Sequence, residues 1–122
     1  MTLALTPTRL AAAYDFLRAF PPFCRWGLPP ASEVVFKVLA TRNFYGHYSR
    51  TLKRDGPLKH YISVSEGRVG HAGTLLATMA HEMLHLRQEL VENTTPHADH
   101  NAAFQRAANA ICRRFGFDPR AF

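Results

Sequence analysis

The stretch from Gly73 to Val91 constrains the fold more than any other segment, because it holds no proline and is dense in good helix formers. As one helix it has Leu76, Met79, Ala80, Met83 and Leu90 to bury its back, and it carries His81-Glu82-Met83-Leu84-His85 at its centre. At 3.6 residues per turn, His81 and His85 stand one turn apart on one face, so both imidazoles can reach one metal ion. Glu82 falls about 100° further round, beside such an ion rather than on it. There its carboxylate can take a proton from the attacking water and return it to the leaving amine. At the chain's own frequencies of His and Glu a chance match is on the order of 1 to 2%, so the pattern points to zinc-dependent peptide hydrolysis with Glu82 as general base.

A catalytic zinc usually takes three protein ligands and keeps one position open for water. The metzincin spacing would require glycine and histidine where the chain has Gln88 and Val91, which excludes that class. A downstream glutamate ligand is excluded too, since no glutamate follows Glu92. His97, Asp99 and His100 are left. His100 is favoured, because Phe104 one turn later would fix its position at a helix start, whereas His97 follows Pro96 in a loop.

Around the motif the chain divides simply. Thr6 and Pro7 make a capped start for a helix from Pro7 to Phe20, with Leu10, Ala13, Tyr14 and Leu17 as its apolar stripe and Pro21-Pro22 as its stop. A proline-rich loop spans 21–32. Strands are predicted from Glu33 to Ala40, from Phe44 to Arg50 with Gly46 inside, and from His60 to Ser65. A turn near Arg42-Asn43 would join the first two, and the polar run Leu52 to Pro57 leads to the third. The last helix runs from His100 to Phe115, with Asp99 as cap, Gly116 as stop, and Phe104, Ala107, Ala108, Ile111, Cys112 and Phe115 on one stripe. The expectation is an α+β domain spanning 1–122, with an N-terminal helix, a small three-stranded, mostly antiparallel sheet, the motif helix and a C-terminal helix.

Charge and cysteine usage narrow the setting. Fifteen Lys and Arg against nine Asp and Glu give a formal charge of +6 without a long basic run, which makes DNA a candidate partner through a diffuse basic surface. Arg42, Arg50, Lys53, Arg54 and Lys59 are its densest part. Cys24 and Cys112 stand far apart and build neither a disulfide framework nor a zinc ribbon, which fits a cytoplasmic protein. No segment reaches membrane-spanning length, and no secretory leader is visible.

These residues resemble the SprT-like zinc peptidases, which include the Spartan proteases acting on DNA–protein crosslinks. The family pattern is a His-Glu-x-x-His helix, a spacer, then a histidine followed by glycine, with an aromatic four residues after that histidine. Here His81 to His85, the spacer Leu86 to Asp99, then His100 and Phe104 match it, and the helix and three strands upstream extend the likeness over nearly all the chain. The resemblance implies a zincin-like fold with zinc on His81, His85 and His100. Asn101 stands in place of the glycine, and the cysteine-rich ribbon that many members carry is absent.

Other polar residues have lesser expected roles. Glu89 lies one turn beyond His85 and could orient a ligand or help close the site, though such a residue is more commonly a helix-surface carboxylate; Tyr45, Tyr48 and Tyr61 are possible donors to a tetrahedral intermediate, though more commonly strand aromatics. His47, His60 and His71 read as structural or exposed. A protein or peptide substrate would pair with the His60 to Ser65 strand if that strand is an edge. The rival reading is a nucleic-acid-associated zinc module with little or no hydrolysis; Glu82 argues against it, because a purely structural site needs no carboxylate there.

Overall fold

The computed structural model describes residues 4–50, 59–92, 100–120 and 122. In chain order the elements are α1 (Pro7–Arg18), β1 (Val34–Leu39), β2 (Gly46–Arg50), β3 (His60–Ser65), α2 (Ala72–Glu92) and α3 (Ala102–Phe115), with two single 3-10 turns between α1 and β1.

Local chemistry sets the helix ends. The Thr6 side chain accepts from Arg9 N at 3.1 Å and Pro7 fills the first turn of α1. This helix stops at Arg18, two residues before the predicted Phe20, because the residue preceding a proline is pushed out of helical conformation and Phe20 precedes Pro21. The start of α3 is also displaced from the prediction. Asn101 is the cap, its Oδ1 accepting from Phe104 N at 2.9 Å, so His100 lies just outside the helix; Asp99 is outside the described residues. Gly116 closes α3 at φ 78°, a left-handed conformation that glycine adopts without strain.

The sheet departs from the expectation in two respects. Its order is β1-β3-β2, with β3 parallel to β1 and antiparallel to β2, so it is mixed rather than mostly antiparallel. Although the chain turns near Arg42-Asn43, with Asn43 N donating to Thr41 Oγ1 at 3.1 Å, β1 and β2 do not pair. The last strand inserts between them. Its burial explains why: Ile62 and Val64 are fully buried, and Ser63 and Ser65 on the opposite face are buried as well, which suits a central strand covered on both sides. Being central, β3 has no free edge to offer a substrate strand, and the expected substrate pairing there is ruled out.

Helices α1 and α2 pack on this sheet over one core. Leu10, Tyr14 and Leu17 of α1 meet Val34 and Phe36 of β1, and Met79, Ala80, Met83, Leu84 and Leu86 carry the buried stripe of α2. Leu90, expected on that stripe, is 43% exposed near the helix end. From α3 come Phe104, Ala108 and Ile111. Among the described residues no helix is long and apolar enough to cross a membrane. Cys24 is exposed and Cys112 buried, and both are free thiols.

Candidate metal centre

His81 and His85 project from the middle of α2, and His100 is brought to them by the Asn101 cap that begins α3. One nitrogen from each ring lies within 4.8 Å of the others. The Nε2 atoms of His81 and His85 are 3.2 Å apart, and those of His85 and His100 are 3.3 Å apart. Two imidazole nitrogens, each about 2.0–2.1 Å from one tetrahedral ion, stand about 3.3–3.4 Å apart, so the spacing fits three ligands to a divalent metal. A three-imidazole set suits several such metals, zinc among them.

The shell around the histidines fixes their aim. The ring of Phe104, 2% exposed, lies flat on His100 with centroids 4.3 Å apart and an interplanar angle of 2°, and also contacts His85 at 5.0 Å and His81 at 5.4 Å. One aromatic platform therefore supports all three imidazoles. On the far side of His85, Nδ1 is 2.9 Å from Gln88 Oε1, a partner that sequence reading did not single out. Burial, and then the neighbouring His85 and His100 rings, push the pKa of His81 down to about 4, while a hydrogen bond to the Phe122 backbone opposes the shift. Proton uptake is disfavoured there, which keeps the ring neutral, as a metal ligand must be.

Glu82 is 5% exposed at the base of a cleft of about 700 Å³ that it shares with His81. Burial pushes its pKa up to about 8; a cation on the adjacent histidines would oppose that shift. The carboxylate owes its place partly to Gly46, the first residue of β2. A Cβ at Gly46 would fall 3.0 Å from Glu82 Oε2 and 2.8 Å from Thr78 Cγ2, so a larger residue would force β2 away from α2. The strand glycine was visible in the sequence, and close approach of another group is one of the few reasons for a glycine inside a strand.

Other expected site residues go elsewhere. Glu89 is buried in an ion pair with Arg50 of β2, so it braces α2 against the sheet. That pairing also removes Arg50 from the exposed basic group, of which Lys53 and Arg54 lie outside the described residues while Arg42 and Lys59 are exposed. Tyr48 is buried with its hydroxyl 2.6 Å from His60 Nδ1, and Tyr61 lies under the Lys37 ammonium, 5.1 Å from the ring centroid. Only Tyr45 of the three tyrosines lines the cleft. His71 is exposed, His47 is half-buried against Phe44, and His97 lies outside the described residues. No protein-family model, curated protein or solved structure matches this chain.

Proposed function

We propose that this chain is a zinc-dependent metallopeptidase of zincin-like, SprT-like type, with His81, His85 and His100 holding zinc and Glu82 acting as general base. The observation that carries the reading is the convergence of three imidazole nitrogens, with His85 at metal-ligand spacing from both His81 and His100, beside a buried carboxylate that opens on a cleft. Zinc at such a site supplies a Lewis acid that polarises a peptide carbonyl and acidifies a water. Glu82 would take a proton from the attacking water at its buried carboxylate and return it to the departing amine nitrogen. Its surroundings suit the task, because burial keeps bulk water from competing for the carboxylate and the missing side chain at Gly46 lets β2 pass close beside it. An extended substrate has β2 for pairing, since this edge strand begins in the cleft wall.

Proteins bound to DNA in the cytoplasm are the substrates that best fit the charge. The chain is +6 overall, and α3 adds a local contribution: Arg106, Arg113 and Arg114 are exposed on a helix that has no acidic residue. The test compares zinc content and casein cleavage, with and without DNA, for wild type, Glu82→Gln and His100→Ala. Glu82→Gln is expected to retain zinc and lose about 10²–10⁴-fold in turnover. His100→Ala is expected to lose zinc. Equal cleavage by wild type and Glu82→Gln would exclude the peptidase reading, and full zinc occupancy in His100→Ala would exclude His100 as a ligand.

A further inference from the structure

Resting on the peptidase reading above, we infer that the cleft beside Glu82 is a subsite for a large apolar side chain, aromatic above all, on the residue next to the cleaved bond. The first two turns of α2 form its floor, where Gly73, Thr74 and Ala77 are all small, so the helix bounds the cleft without filling it. Aromatic rings approach from three separate segments: Phe44 and Tyr45 ahead of β2, Phe117 beyond the Gly116 cap, and Phe122. Phe44, Phe117 and Phe122 are each only partly buried, which leaves apolar surface facing the cleft. Small floor and aromatic walls together make a space shaped for a bulky side chain.

This apolar wall runs up to the histidines. The rings of Phe117 and Phe122 stack at 6.1 Å and 15°, and the Phe122 ring lies 5.3 Å from that of His81. The chain's own Phe122 thus shows an aromatic ring seated beside a proposed metal ligand. The two exposed charged residues on the cleft, Arg68 and Asp118, are opposite in sign and so select for neither cation nor anion. Arg68 is engaged already: its guanidinium lies over the Tyr45 ring at 5.4 Å and its Nε donates to the Arg42 carbonyl at 2.8 Å.

The test gives the zinc-loaded protein a peptide series that differs at one position among Phe, Leu, Ala, Lys and Asp, with the cut sites read by mass spectrometry. Cleavage next to Phe is expected at a kcat/KM about tenfold or more above that for Ala, with Leu between and Lys and Asp no better than Ala. Ala77→Leu, and independently Thr74→Leu, raise the floor and are expected to reduce the Phe-to-Ala ratio about fivefold, with helical signal and zinc content retained. A ratio that stays fixed in a folded variant overturns the subsite. The same peptides are titrated onto zinc-loaded Glu82→Gln by fluorescence anisotropy. Phe-selective binding with no cleavage by wild type keeps the subsite and removes the peptidase reading. Cleavage by wild type at equal rates across the series does the reverse.

Discussion

The Nδ1 nitrogen of His85 lies 2.9 Å from the Gln88 side-chain oxygen, which can only accept, so Nδ1 carries the proton and Nε2 turns its lone pair toward His81 and His100. Gln88 is 5% exposed and thus held in that pose. Removing such a partner typically weakens metal binding about 10–100-fold; Gln88→Ala is expected to show that loss in competition with a chromophoric chelator, and Gln88→Glu, which keeps an acceptor, to show less of it. His60 obeys a different rule. Burial, and then the Arg50 guanidinium, hold its pKa below the ordinary 6.5. In the unfolded chain the same imidazole takes up a proton near pH 6.5. Stability owed to neutral His60 is therefore complete above that pH and is lost as the pH falls toward the lower folded value. Urea midpoints of the metal-free protein at pH 7.5 and 5.5 are expected to differ less for His60→Gln than for wild type; an equal difference would show that His60 does not carry the effect. The histidine pair of α2 was legible in the sequence because ligand spacing along one helix is a local property. The Gln88 contact was not, since an amide three residues after a histidine acquires meaning only once the ring's aim is known.

Between α2 and α3 the decisive joint for the three histidines is the start of α3. Asn101 caps Phe104 N, and Phe104 in turn stacks under His100, so one hydrogen bond positions both the helix and the His100 ring. Losing an Asn cap to alanine costs about 0.5–2 kcal/mol, but to glycine only a few tenths. Asn101→Ala is accordingly expected to lower the thermal midpoint and weaken zinc binding together, while Asn101→Gly preserves both. Independent movement of the two quantities would separate the cap from the ligand. Helix boundaries such as this were nearly readable from the chain, because caps, prolines and glycine stops act within one turn; the Asn101 cap and the Arg18 end differ from the expectation by two residues. Strand order was not readable. The run from Val34 to Ser65 gives three β-prone segments in sequence, but whether the third lies outside or between the first two depends on which strand both helices and neighbours can bury. The doubly covered Ile62, Ser63, Val64 and Ser65 decide it only in three dimensions.

At the scale of the molecule, the candidate centre lies where α2 and the start of α3 meet. His81 and His85 belong to the helix that lies on the sheet, while His100 immediately precedes the Asn101 cap of the helix that adds Phe104, Ala108 and Ile111 to the core. An ion held by all three would cross-link α2 to α3 in the folded state and have no comparable site in the unfolded chain, so its binding energy becomes folding energy. At free zinc about a thousand times the dissociation constant, the gain is about 4.1 kcal/mol. With a midpoint shift of roughly 4 °C per kcal/mol for a chain of this size, chelation is expected to lower the thermal midpoint by about 15 °C. The loss should also be uneven. Amides of α3, which depend on the cross-link, are expected to gain hydrogen exchange before those of β3, whose strand is paired on both edges and buried on both faces. His85→Ala should start at the lower midpoint and ignore the chelator. If wild type and this variant share one midpoint with and without zinc, the three histidines contribute nothing to the fold, and the close Nε2 spacing reflects packing around Phe104 alone.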